Sequence, residues 1–172
     1  MKLLQNNTLK IRALEPTDLD YFYQCENNTQ NWDTSNVYAP VSRYTLYNYI
    51  QQQPADVFEA VQLKWVITLA DGTPVGMVEL NNIDHFNKRA EVGIFIEAAH
   101  RKKGYATQTL QLIIAYAKQY IGWHQLTAIV AQKNTASHQL FRGVGFVQSG
   151  EFVDYFKTET GFENAWFYQL VL

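Results

Sequence analysis

Three consecutive cations, Arg101, Lys102 and Lys103, run straight into Gly104, Tyr105, Ala106 and Thr107. Residue types in that order suit a polyanion. Gly104 admits a ligand where a Cβ would obstruct it, small Ala106 does nearly the same, and the cations attract negative charge at long range. If a helix starts at this point, its first backbone N–H groups have no intrahelical partner and its dipole adds partial positive charge, so that end can hold a phosphate, with the Thr107 hydroxyl next in line. An ordinary strand-to-helix turn with solvated charges would use the same residues, and six positions do not decide between the two. Two carboxylates, Glu79 and Glu91, fall within stretches that read as strands. A carboxylate held near an amine can take its proton. A charged residue amid apolar strand neighbours is rarely buried without a partner, so Glu79 carries information if it points inward and is solvated edge if it points outward.

These residues need elements to hold them. Ala90 to Glu97 is apolar and β-branched enough for a buried strand, whereas Ala106, Leu110, Ile113, Ile114 and Ala117 recur at helical spacing, so the period changes across Arg101–Ala106. Before it, Leu9 to Ala13 alternates as a first strand. Glu15-Pro16 breaks it, and Thr17 with Asp20 reads as the start of a helix ending near Asn27-Asn28. Residues 28–41 have no clear period. Ser42 caps a second helix through Gln53, stopped by Pro54. Leu63–Leu69 and Pro74–Asn81 are strands around an Asp71-Gly72 turn. After the central helix come a strand at Leu126–Ala131, a short helix from Thr135 to about Val144, and two closing strands near 146–156 and 162–172. Such an order predicts an α/β fold with helices on both faces of a mixed sheet.

The chain has 172 residues, 47% hydrophobic and 15% aromatic, which suffices for one packed domain. A formal charge of −2 gives no global pull toward nucleic acid. The single cysteine, Cys25, excludes an internal disulfide and reads as an inert, partly buried thiol. No signal peptide and no run of eighteen apolar residues is present, so the expectation is a cytoplasmic protein with no membrane partner. No set of metal ligands stands out.

The R-x-x-G-x-A run after an apolar strand resembles the acyl-coenzyme A pyrophosphate loop of the GNAT superfamily of N-acetyltransferases. Asn134-Thr-Ala-Ser137-His-Gln-Leu140-Phe141-Arg-Gly-Val-Gly145-Phe146 follows that family's N-x-x-S-x-x-L-[YF]-x-x-x-G-F pattern at the distance the family uses. The closing segment from Gly150, together with Gly76-Met-Val-Glu-Leu-Asn and Lys88-Arg-Ala-Glu91, resembles the bacterial spermidine acetyltransferases and the related ribosomal-protein acetyltransferases. The resemblance implies one GNAT-like domain over residues 1–172, with a mostly antiparallel sheet of six to seven strands.

It also implies roles. Main-chain groups of Ile94, Phe95 and Ile96 would pair with the pantetheine of acetyl-CoA, and a backbone N–H near Phe95 or Ile96 would meet the carbonyl oxygen of the thioester. Arg101, Lys102, Lys103, Gly104, Tyr105, Ala106 and Thr107 would hold the pyrophosphate. Asn134 would offer its amide to the pantetheine arm, cap the Thr135 helix, or do both. Glu91, in an R-A-E context, and Glu79 are the bases to deprotonate an amine whose pKa near 10 leaves about one molecule in a thousand neutral at pH 7. Trp32, Asp33 and Tyr38 would border the acceptor. Many relatives carry tyrosine where this chain has Phe141, and the phenol protonates the departing thiolate. Phe141 cannot; its ring would pack against the pantetheine, and Tyr105, Tyr155 or a water would be the replacement acid.

The implied activity is direct acetyl transfer from acetyl-CoA to a primary amine in a ternary complex, the acceptor being a small molecule or a peptide N-terminus, with a homo-oligomer allowed. Two alternatives stand beside it. One is a spermidine or diamine acetyltransferase in the strict sense, against which residues 30–44 offer only Asp33 as a carboxylate. The other is a non-catalytic acyl-CoA-binding module, which Phe141 favours and the pair Glu79 and Glu91 disfavours.

Overall fold

The computed structural model describes residues 3–29 and 39–172, so the expectations for Trp32, Asp33 and Tyr38 lie outside the described residues. Seven strands form one sheet: β1 (Leu9–Ala13), β2 (Leu63–Leu69), β3 (Pro74–Asp84), β4 (Arg89–Ile96), β5 (Gln125–Ala131), β6 (Val147–Thr158) and β7 (Gly161–Val171). Their spatial order is β1-β2-β3-β4-β5-β7-β6. Every neighbouring pair is antiparallel except β4 and β5, which are parallel because a helical crossover joins them. Among the described residues, four α-helices pack on the sheet: α1 (Leu19–Asn27), α2 (Arg43–Gln51), α3 (Tyr105–Tyr116) and α4 (Thr135–Gly143).

The sheet is covered on both faces, as the element order predicts. On one face α3 and α4 bring Leu110, Ile113 and Phe141 against Ile67, Val78, Leu80, Val92, Ile96, Leu126, Ala128 and Tyr168. On the other, α1 and α2 bring Phe22, Leu46 and Ile50 down onto Val66 and Met77. Period-two alternation divides β4 between them: Ala90, Val92 and Ile96 join the α3/α4 core, and Glu91, Gly93 and Phe95 take the α1/α2 face.

Gly76 permits the close β3–β4 approach on which this arrangement depends. A Cβ at that position would stand 2.1 Å from the Phe95 carbonyl oxygen, a distance no side chain tolerates.

Local details refine the sequence reading. The first helical segment opens as a 3₁₀ turn at Pro16–Asp18, where Glu15 and Asp18 form a reciprocal capping box, so the cap is not Thr17. Ser42 does cap α2, accepting from the Thr45 N–H. The end of α3 widens into a π-turn at Ala117–Ile121, closed by left-handed Gly122. β3 runs three residues past the expected Asn81 because Asp84 pairs with Arg89 at the head of β4. No helix among the described residues is long and apolar enough to cross a membrane.

Candidate active site

The parallel strands β4 and β5 part company early. Arg89, Ala90 and Glu91 pair with Gln125, Leu126 and Thr127, and the pairing stops there. β4 nevertheless stays registered with β3 as far as Ile96, and β5 stays registered with β7 as far as Ala131. The result is a wedge-shaped gap beyond Glu91 with strand backbone on each side.

Backbone direction tells which β4 residues face that gap. The Lys88 carbonyl accepts from the His124 N–H at 2.7 Å, and the Ala90 carbonyl accepts from the Thr127 hydroxyl at 3.4 Å, so even-numbered positions point toward β5. Odd-numbered positions point the other way: the Phe95 carbonyl lies against Gly76, and the Glu97 N–H donates to the Val75 carbonyl at 3.0 Å. Val92, Ile94 and Ile96 therefore turn their main-chain groups into the gap, and Phe95 turns its own toward β3. At the far end the Arg101 Nε donates to the Ile96 carbonyl at 2.9 Å, tying the basic loop to the strand.

That loop is shaped by two left-handed residues, Lys102 at φ 61° and Gly104 at φ 77°. A lysine in this region is uncommon, and glycine meets the requirement at no steric cost. α3 begins immediately after, at Tyr105, and no side chain caps it. The first-turn N–H groups of Tyr105, Ala106 and Thr107 are thus left to an external acceptor, with exposed Arg101, Lys102 and Lys103 beside them.

Asn134 caps α4: its Oδ1 accepts from the Ser137 N–H at 3.1 Å, which leaves the side-chain NH₂ as a donor. Phe141 is only 4% exposed and packs edge-on to Phe146 at 5.1 Å and against Tyr168 at 6.3 Å. The ring belongs to the α3/α4 core.

The two carboxylates differ in setting. Glu79 stands opposite Lys64 in the β2–β3 register, and the Lys64 Nζ lies 2.8 Å from Glu79 and 2.7 Å from Glu26 of α1. Lys64 is 8% exposed and stacks over the Phe22 ring. Burial alone would lower its pKa, but the charges of Glu79 and Glu26 outweigh it and hold the ammonium above the usual lysine range. The inward Glu79 therefore has the partner that burial demands. Glu91 accepts from the Asn82 Nδ2 at 3.1 Å and lines a cavity of about 210 Å3 with Asn82, Asp84, Arg89, Thr127 and Phe167, on the α1/α2 side of the point where β4 and β5 separate.

Lys64 and Glu26 were not among the predicted site residues. Their only sequence signal is a lysine inside an otherwise apolar strand, which demands a buried counter-charge without saying which carboxylate supplies it. Burial, then the charges of Glu97 and Glu26, push the Cys25 thiol up to about 11, although Tyr21 and Lys64 oppose them. An inert thiol follows.

Residues 8–147 match the family model for an acetyltransferase (GNAT) domain. The chain belongs to the GNAT acetyltransferases. Such enzymes take the acetyl group from acetyl-CoA, and the open β4 edge and uncapped α3 start are features a coenzyme A molecule can use. Among GNAT relatives, the chain is 29% identical to a spermidine N(1)-acetyltransferase of Escherichia coli strain K12, over 92% of this chain and 83% of that one. It is 28% identical to a ribosomal-protein-serine acetyltransferase of the same organism, over 84% of this chain and 82% of the relative. A crystal structure of spermidine N-acetyltransferase from Vibrio cholerae in complex with CoA and spermine superposes with a TM-score of 0.85 at 25% identity, covering 96% of each chain. Membership in an enzyme family with these relatives disfavours the non-catalytic binding module.

Proposed function

We propose that the chain acetylates a small-molecule primary amine, with the pantetheine arm of acetyl-CoA laid along the open edge of β4. The observation that carries this reading is the loss of the β5 partner after Glu91 while β3 pairing continues to Ile96. Main-chain groups of Ile94 and Ile96 face the gap and take the arm as an added strand. The same edge supplies the N–H that receives charge on the thioester oxygen, a donor worth a few kcal/mol; Phe95 contributes its side chain and not its backbone. Tyr105, Ala106 and Thr107 N–H groups hold the pyrophosphate, with Arg101, Lys102 and Lys103 around it, and the Asn134 NH₂ reaches the arm from the other wall.

The amine approaches from the α1/α2 face, where Glu91 takes its proton, directly or through water. Its nitrogen then bonds to the carbonyl carbon, the carbon–sulfur bond breaks, and the nitrogen sheds its second proton to water or to the released thiolate. A thiolate with conjugate pKa near 8.5 leaves without an acid, so Phe141 is compatible with turnover. Glu79 serves by holding Lys64, and through it α1, against the sheet.

Small amines are favoured over peptide N-termini by the relatives that act on spermidine. Self-association is part of the same reading: β6 is a 12-residue edge strand with Val147, Val153 and Tyr155 exposed, the kind of edge that pairs with another copy. Sedimentation velocity tests this separately. The activity test is acetyl-CoA-dependent thiol release over polyamines, amino acids, aminoglycosides and N-terminal peptides. Release with polyamines or other small amines supports the reading; release with peptides alone, or with nothing, overturns it.

A further inference from the structure

His138 and Tyr168 form a buried polar pair that the reaction above does not use. His138 is 4% exposed and Tyr168 is 0% exposed. The His138 Nδ1 lies 3.0 Å from the Tyr168 hydroxyl, and its Nε2 lies 3.2 Å from the Gln132 carbonyl oxygen. A carbonyl only accepts, so Nε2 carries the ring proton; Nδ1 of the neutral ring then accepts from the tyrosine O–H. One arrangement of protons satisfies the whole chain from Tyr168 through His138 to Gln132. The His138 ring is clamped further by Trp166, 4.4 Å away between centroids.

The far end of this chain is the turn between β5 and α4. Gln132 is held from the other side as well, its N–H donating to the Asn164 carbonyl at 2.9 Å. Two residues on, the Asn134 N–H donates to the Ala131 carbonyl at 2.9 Å, and the Asn134 side chain starts α4. Gln132 thus anchors the turn from which Asn134 starts α4. Tyr168 also supports Phe141, one turn along α4 from His138.

We propose that Tyr168 and His138 are positioning residues for the cosubstrate: they set the β5–α4 turn from inside the core so that the Asn134 NH₂ meets the pantetheine arm. The inference rests on the assignment of Asn134 to that arm. Removing the Tyr168 hydroxyl leaves the His138 Nδ1 buried without a donor and frees the ring, and with it the turn, to shift.

The test is a double-mutant cycle on coenzyme A affinity, measured calorimetrically on the full chain for Asn134→Ala, Tyr168→Phe and both together, with steady-state KM values for acetyl-CoA and for the amine. The expected result is a loss of about fivefold to tenfold in affinity for each single variant and little more for the double. The KM for acetyl-CoA should rise while that for the amine does not. His138→Gln, whose amide can both donate to Gln132 and accept from Tyr168, should keep most of the affinity, whereas His138→Leu should not. Additive losses, or a Tyr168→Phe variant that binds coenzyme A as wild type does while Asn134→Ala does not, would overturn the positioning role and leave the Asn134 assignment standing. Wild-type affinity in Asn134→Ala overturns that assignment and the positioning role together. If Tyr168→Phe does not fold, the His138→Gln and His138→Leu pair decides by the same cycle with Asn134→Ala.

Discussion

Lys64 on β2 and Glu79 on β3 face each other in register with 2.8 Å between ammonium and carboxylate, and Glu26 of α1 closes on the same nitrogen at 2.7 Å. This contact joins α1 to the sheet face from which the amine is proposed to enter. Lys64→Met should cost about 3–5 kcal/mol of stability, because breaking one member of a buried ionic group leaves charge without its counter-ion. The folded-state pKa of Lys64 is raised, so its contribution is fully present below the unfolded lysine value near about 10.4 and is lost as pH rises through the folded value. Denaturant titrations of wild type and Lys64→Met should therefore keep a constant difference from neutral pH to mildly alkaline pH and converge only above it. A difference that widened as pH rose through the lysine range would refute the ionic account.

Glu91→Gln should slow acetylation at neutral pH most for amines of high pKa, with the deficit shrinking as pH rises and more amine is free by itself. The check is a pH–rate series with two amines of different pKa. An equal deficit at every pH assigns Glu91 to binding, and no deficit assigns the deprotonation to water.

Phe141→Tyr should lose stability and gain little rate. With the ring 4% exposed between Phe146 and Tyr168, an added hydroxyl enters the core and costs roughly 1–3 kcal/mol if it finds no partner. Thermal unfolding and turnover measured together decide: faster turnover at unchanged melting temperature would put the para position in a wet channel.

Gly104→Ala should fold with a modest loss, since φ 77° costs a Cβ-bearing residue about 1–2 kcal/mol, and should keep some coenzyme A-induced rise in melting temperature. Gly104→Glu carries the same strain plus a negative charge at the proposed pyrophosphate site and should lose that rise entirely. Equal ligand shifts in the two variants would remove the loop from the cofactor site.

The order of strands and helices was readable because apolar periods change sharply, from two in Leu9–Ala13 to about 3.6 after Tyr105, and because Ser42, Gly104 and Asn134 mark where helices begin. The basic loop was readable for the same reason: its glycine sits where the period changes. The Glu79 environment was not, since a carboxylate inside a strand announces neither its direction nor that a lysine fifteen residues earlier and a glutamate on α1 will converge on it. Nor was the facing of β4. Ile94, Phe95 and Ile96 look equivalent as a run of apolar residues, and only hydrogen bonds at Lys88, Ala90 and Glu97 reveal that alternate residues turn to opposite edges. The buried His138–Tyr168 contact joins residues thirty apart and was beyond any local pattern.

Amide hydrogen exchange along β4, followed residue by residue with and without coenzyme A, tests the central claim most directly. Ile94 and Ile96 face an edge that no strand covers among the described residues, whereas the Phe95 amide is directed to β3. Coenzyme A should slow exchange at Ile94 and Ile96, and at Tyr105 and Ala106 in the loop, while leaving Phe95 as slow as before. Slowing at the loop with no change at Ile94 or Ile96 would contradict the account, because the cosubstrate would then bind without entering the gap between β4 and β5.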